Sequence, residues 1–158
     1  MAEIADAANY PMIRLLRVGQ QFNQTAQNRL SIETKPWVEA SSNNSDIGDF
    51  SAVCYFTARD TYRALVAAGQ PVALGLVEAA WSGTRVEAWT RPAGISKCTT
   101  GSGGPNHSTV CNCTRGRCIH QNECSALFNG MVHPLLPTRF RFALWYQVCN
   151  VIFSALGL

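Results

Sequence analysis

Apolar and polar positions along the chain follow two periods, and the switches between them mark the elements. Ile13, Leu15, Leu16 and Val18 make residues 13–18 read as a strand, and a polar stretch runs from Gly19 to Asn28. A helix signal opens near Asp46 or Asp49, either of which can cap the exposed amides of a first turn. Behind them Phe50, Val53, Cys54, Thr57, Ala58, Thr61, Tyr62 and Leu65 recur at helical spacing on one face, until Gly69, Gln70 and Pro71 stop the run. Residues 72–77 are then continuously apolar, as in a strand covered on both faces. Strand, helix and strand in that order predict a βαβ unit, hence an α/β fold with a parallel sheet. A long excursion runs over 92–122, a short helix is expected over 123–131, and His133 with Pro134 stops it. Phe140, Phe142, Leu144 and Tyr146 alternate with Arg139, Arg141, Ala143 and Trp145, the period of a strand. No internal repeat is present.

Parallel sheets place ligand sites in the loops at the carboxyl ends of their strands. Two segments occupy such places: 78–85, which contains Trp81, Ser82, Gly83 and Arg85, and the stretch that begins with 145–147.

Composition narrows the class. The 158 residues are 47% hydrophobic and 15% charged, which suits one domain with a real core and excludes a disordered or charged linker. Thirteen basic residues face ten acidic ones, and no run of Lys or Arg forms a stripe that neutralises several phosphates, so nucleic acid is not the partner. Residues 91–158 carry six basic groups and one acidic group, which reads as a solvated loop region lacking acids. The start lacks the basic and apolar regions of a signal peptide. No stretch reaches the ~20 apolar residues of a membrane span, and the apolar end, 148–158, is too short for one.

Five of seven cysteines, Cys98, Cys111, Cys113, Cys118 and Cys124, fall within 27 residues rich in Gly, Asn, Ser and Thr. Such a loop builds little core, so disulfides are a natural way to order it. Free structural cysteines and a zinc site with His107 and His120 are the alternatives, although the paired knuckles of zinc sequences are missing, and no metal is expected. Seven is odd, so at least one thiol is free or pairs outside the chain. Asn23, Asn43, Asn106 and Asn112 each open a glycosylation sequon, in keeping with an oxidising compartment.

The residues of 50–90, from Phe50, Ser51 and Ala52 through Pro71 to Trp81, Ser82, Gly83, Thr84 and Arg85, together with Lys35-Pro36-Trp37, the segment from Leu127 to Leu135, and Trp145-Tyr146-Gln147, strongly resemble the sialate O-acetylesterases. The likeness touches most of 2–147 and weakens over 92–122. It implies an SGNH-type hydrolase, a three-layer α/β enzyme that uses a serine nucleophile and a histidine base to remove acetyl esters from sialic acids. It further implies a lysosomal or secreted glycoprotein without a cofactor, whose partner is an O-acetylated sialic acid or sialoglycan. On this reading 1–147 is part of such a hydrolase domain, 92–122 is a Cys/Gly/Asn-rich insertion, and 148–158 is a divergent tail.

The departures from the family pattern concern the chemistry. The family's nucleophile motif, Gly-Gln-Ser-Asn-Met, does not occur here, and its Trp-Tyr-Gln-Gly-Glu-Ser-Asn becomes Trp145-Tyr146-Gln147 followed by Val148, Cys149 and Asn150. Ester hydrolysis through an acyl-enzyme needs a nucleophile, a base and oxyanion donors, and only the last are expected to survive. Gly83 and Gln147 are the oxyanion-loop candidates, with Ser82 standing where the family has a second glycine. Trp81, Ser82 and Arg85 are the substrate-cleft candidates. Arg85 and Arg14 have the guanidinium geometry that meets a carboxylate, and otherwise read as surface arginines. Trp37, Trp81, Trp89 and Trp145 can stack on sugars, but packing is expected for at least three of them. Ser51 reads as the first turn of a helix, Ser82 as a glycine replacement and His133 as a local structural hydrogen bond, so no triad forms from within. The expectation is an incomplete sialate O-acetylesterase that is catalytically silent alone. A non-catalytic glycan-binding or regulatory piece is the second reading, and a truncated product without a stable fold the third.

Overall fold

The computed structural model describes residues 2–41, 46–98 and 120–147. They fall into two compact units, Met1–Val18 with Glu33–Ala79 and Gly19–Ile32 with Ala80–Leu158.

The first unit opens with α1 (Ala2–Asp6) and a 3-10 turn (Ala7–Asn9), enters β1 (Ile13–Arg17) and later returns as β2 (Val38–Glu39). A one-turn helix, α2 (Asp46–Asp49), precedes α3 (Ala52–Ala67) and β3 (Leu74–Glu78). The sheet order is β2-β1-β3. β1 runs parallel to β3, with Ile13 opposite Leu74 and Arg17 opposite Glu78, so the strand–helix–strand crossover and the mixed α/β class are present. β2 pairs antiparallel with β1, and its two residues are too few for a periodic signal. Ile13, Leu15, Tyr10, Tyr55, Ala58 and Leu76 form the centre of the core.

The helix start differs from the sequence reading. Asp46 and Asp49 bound a separate turn, and Ser51 caps α3 by accepting from the Cys54 amide at 3.3 Å. The buried stripe keeps Phe50, Cys54, Ala58 and Tyr62 of the expected one but gains Tyr55 and loses Val53 and Thr57. Tyr55 and Ala58 point inward, whereas Val53 and Thr57 are exposed. Thr57 and Thr61 satisfy their hydroxyls on the carbonyls of Val53 and Thr57, each at 2.7 Å, so they need no polar partner elsewhere. The second strand begins two residues later than the apolar run, because pairing with β1 starts at Leu74. Val72 and Ala73 are exposed, and Leu76 is the buried residue of β3, so this run is not covered on both faces among the described residues.

Glu78 ends β3 with its side chain 14% exposed, and Arg17 Nε lies 3.5 Å from its Oε2. Burial is the largest influence and pushes the carboxyl up; Arg17 and a bond from the Ser51 backbone pull it down, and Asp49 raises it again. Folded Glu78 therefore holds its proton more tightly than the unfolded chain does. Stability falls as pH rises from the ordinary carboxylate value through the raised one, and that loss is complete above it. Glu78→Gln is expected to flatten this slope. Urea midpoints of parent and variant between about pH 4 and pH 8 measure it, and parallel curves would contradict the assignment.

In the second unit the chain forms α4 (Val86–Trp89) and α5 (Pro92–Cys98), so the segment beginning at Pro92 starts as a helix rather than a loop. Proline at a first helical position loses no hydrogen bond, which suits this start. The helix expected over 123–131 is realised as Ala126 and Leu127 running into a π-helix, Phe128–Val132. Pro134 does not stop it; the chain continues as a 3-10 turn, His133–Leu135, whose first positions tolerate proline. Leu127 and Met131 are fully buried there. Residues 140–146 form no strand among the described residues: the alternation is present, but Phe140, Phe142, Leu144, Trp145 and Tyr146 are all exposed. A periodic pattern becomes a strand only when a partner takes its amides and carbonyls, and no described strand does so.

Candidate functional site

β1 and β3 end at Arg17 and Glu78, and the loops beyond their carboxyl ends, 19–32 and 80–85, both belong to the second unit. Gln20 Nε2 donates to the Ala80 carbonyl at 3.3 Å, and the Phe22 ring lies 6.2 Å from that of Trp81. The two loops are therefore side by side.

The second loop turns at Ser82 and Gly83. Gly83 has φ +72°, a left-handed conformation that glycine adopts without a Cβ penalty, and both residues are exposed. Thr84 closes the turn from a site 3% exposed. Its hydroxyl donates to the Trp81 carbonyl at 2.6 Å and accepts from Trp89 Nε1 at 2.9 Å. Gln147 Nε2 donates to the Thr84 carbonyl at 2.8 Å. Asn122 reaches the other side: its Nδ2 donates to the Gly83 carbonyl at 3.2 Å, while its Oδ1 accepts from the Arg85 amide and its carbonyl from Arg85 Nε. Every residue from Trp81 to Arg85 except Ser82 is thus held by a bond from outside the turn or across it.

The segment after Asn122 grips the first loop as well. The Ser125 amide donates to the Glu87 carbonyl at 2.9 Å, and the Asn23 amide donates to the Ala126 carbonyl at 3.0 Å. Asn129, 4% exposed, donates from Nδ2 to the carbonyls of Asn23 and Gln24 at 3.2 and 3.0 Å. Its own carbonyl accepts from the Gln27 amide at 2.9 Å. Gly130 lies so close to Gln21 that an added Cβ would stand 2.1 Å from that residue's carbonyl oxygen. His133 Nδ1 donates to the Gln27 carbonyl at 2.9 Å, so its hydrogen bond is structural as expected but reaches a distant part of the chain rather than a local partner.

Of the residues named from the sequence, Trp81, Ser82, Gly83, Arg85 and Gln147 are brought together around one turn. Gln147 meets it through the Thr84 carbonyl, and its Oε1 is buried without a hydrogen-bond partner among the described residues. Arg85 turns its Nε to Asn122, whereas Arg14 pairs with Glu39 at 2.8 Å in the first unit. Ser51 serves as a helix cap, and His120 is bound between Glu123 and the Asn122 amide. Among the described residues neither Ser51 nor Ser82 is bonded to a histidine. No described group of three or more His, Cys, Asp or Glu residues is placed to hold a metal ion, and no described helix is long and apolar enough to cross a membrane.

Asn23 accepts from the amide and the hydroxyl of Thr25 at 3.0 and 3.2 Å, an Asx turn within its sequon. Cys54 is a free, half-buried thiol whose pKa is pushed up by burial first and by Glu78 second, while Cys124 is disulfide-bonded. Cys98 ends α5, and Cys111, Cys113, Cys118, His107, Asn43, Asn106, Asn112 and the tail 148–158 lie outside the described residues. Sequence reasoning assigns no role to Thr84, Asn122, Asn129 or Gly130. A glycine inside the apolar run 127–132 is the one signal there of a close backbone approach.

No protein-family model matches the chain. Curated proteins named sialate O-acetylesterase do: those of Pongo abelii and Homo sapiens are each 29% identical over 150 residues, covering 92% of this chain and 26% of theirs. That of Mus musculus is 25% identical over 167 residues, covering 92% of this chain and 30% of its own. The chain thus spans about a quarter of the length of the first two relatives. Among solved structures, a carbohydrate acetylesterase from Xanthomonas citri aligns with a TM-score of 0.60 and 26% identity, covering 87% of this chain and 25% of that one. In sequence the chain is similar to sialate O-acetylesterases, and in fold to a carbohydrate acetylesterase, as an SGNH-type hydrolase would be.

Proposed function

We propose that this chain is part of a sialate O-acetylesterase of the three-layer SGNH type, that it supplies the oxyanion side of the cleft, and that it has no hydrolytic capacity alone. The observation that carries the reading is the Trp81–Arg85 turn, whose left-handed Gly83 is exposed while its own carbonyl and those of Trp81 and Thr84 are held by hydrogen bonds. Attack on an acetyl carbonyl puts negative charge on its oxygen, and donors fixed beforehand lower that barrier without reorganising. In this reading the backbone amides of Ser82 and Gly83 face that oxygen, while the Arg85 amide is taken by Asn122. Gln147 is a positioning residue, because its Nε2 already holds the Thr84 carbonyl. The described residues contain no hydroxyl activated by an imidazole, so they form no acyl-enzyme. The Asx turn at Asn23 and the disulfide-bonded Cys124 support a glycosylated protein of the lysosome or the secreted space.

The test uses the whole 158-residue chain, p-nitrophenyl acetate and O-acetylated N-acetylneuraminic acid. The expected result is acetate release no faster than from the Ser51→Ala, Ser82→Ala double variant, with the acetylated sugar, but not the free sugar, shifting the Gly83 amide resonance. Release above that of the double variant would overturn the silent-alone half. An acetyl-blind Gly83 would overturn the oxyanion half.

A further inference from the structure

Trp145 and Tyr146 are two of the most exposed aromatic residues among the described ones, at 62% and 79%, yet Trp145 meets another ring and Gln147 beside them is hydrogen-bonded. The Trp145 ring meets Trp89 edge to face, with centroids 6.4 Å apart at 87°. Trp89 Nε1 is bonded to the Thr84 hydroxyl, and Gln147, two residues beyond Trp145, is bonded to the Thr84 carbonyl. These links close a circuit: Thr84 to Trp89, Trp89 to Trp145, then along the chain to Gln147 and back to Thr84. A ring anchored through its neighbours loses little freedom when a ligand lands on it. Packing explains Trp89, which is half-buried, but leaves Trp145 an exposed residue.

We propose that Trp145, flanked by Tyr146, is a stacking platform for the pyranose ring of the acetylated sugar. A pyranose presents an apolar face of C–H bonds and an equatorial rim of hydroxyls; the first matches a large exposed indole, and the second suits the exposed Ser82 beside Gly83. The circuit through Thr84 sets the platform beside the turn proposed to face the acetyl group, so one ligand engages both. This inference rests on the acetylesterase reading for the identity of the ligand, though not for the stacking itself.

The experiment is calorimetric titration of the full chain and of Trp145→Ala and Trp145→Phe with the methyl glycoside of N-acetylneuraminic acid and with its O-acetyl ester. Trp145→Ala is expected to weaken both ligands by the same factor, about tenfold, and Trp145→Phe to restore most of the affinity. Pyranose ring protons are expected to show nuclear Overhauser contacts to the Trp145 indole in the parent chain, a readout that needs no variant to fold. Unchanged affinity in Trp145→Ala, absence of those contacts, or no binding of either glycoside would overturn the platform. If the acetylated glycoside shifts Gly83 while Trp145→Ala binds normally, the platform alone fails. If the indole contacts appear but Gly83 is blind to the acetyl group, the acetylesterase reading alone fails.

Discussion

Gly130→Ala is expected to destabilise the second unit by at least about 3 kcal/mol, more than an ordinary methyl added to a core. An ideal Cβ at Gly130 stands 2.1 Å from the Gln21 carbonyl oxygen, 2.8 Å from its carbon and 3.3 Å from Phe22 Cα. All three atoms are backbone, so no side-chain rotation relieves the overlap. The loop that would have to retreat is held at Asn23, Gln24 and Gln27 by bonds to Ala126 and Asn129. Moving it breaks those bonds, and leaving it in place forces the π-helix to open. Gly83→Ala is the contrasting case. A Cβ there meets nothing within 4 Å, so only the left-handed backbone at φ +72° is penalised, at roughly 1–2 kcal/mol. Denaturant unfolding of both variants, read from near-ultraviolet circular dichroism, measures the difference. Equal midpoints would mean that the 21–130 approach is not close in solution.

That contrast also marks what a sequence can and cannot disclose. β1, α3, β3 and the parallel pairing are legible because each arises from a local period: alternating or continuous apolar runs of strand length around a helix with a clear stop. Sequence and structure part where two local signals compete or where the deciding atom is distant. Asp46, Asp49 and Ser51 all suit an N-cap, and only the fold shows that Ser51 takes α3 while the aspartates bound a separate turn. Residues 140–146 have the period of a strand, but a period specifies a face and not a partner, and their amides find no described ladder. The π-helix is hidden because Phe128, Asn129, Gly130 and Met131 read equally well as an α-helix; its reason is the fit of Gly130 and Asn129 against residues 21–27, more than a hundred positions away. At the candidate site, Gly83 and Gln147 are visible through family resemblance, whereas Asn122 sits at the end of a polar stretch of sequence with nothing to single it out. Its three bonds to Gly83 and Arg85 exist only in the folded chain.

Thr84→Val is expected to cost about 3 kcal/mol and to loosen the turn that carries Gly83. Valine has nearly the shape of threonine, so the substitution leaves no large cavity and isolates the hydroxyl's hydrogen bonds. The Thr84 hydroxyl satisfies two partners at once, the Trp81 carbonyl at 2.6 Å and the Trp89 indole N–H at 2.9 Å, from a site almost closed to water. Replacing it with a methyl strands one acceptor and one donor, each worth roughly 1–3 kcal/mol when buried. Both partners are only partly buried, which sets the expectation near the lower half of the summed range. Thr84→Ser keeps the hydroxyl and gives up one methyl group, so it is expected to lose no more than about 1 kcal/mol. The functional readout separates this from a general loss of packing. Without the 81–84 bond the Ser82–Gly83 amides are no longer fixed in advance, and fixed orientation is what gives such donors their advantage over water. Thr84→Val is therefore expected to broaden the Gly83 amide resonance and abolish its response to the acetylated sugar, while Thr84→Ser preserves both. A Val variant as stable as the parent, with an unaltered Gly83 signal, would show that Gln147 and Asn122 hold the turn by themselves.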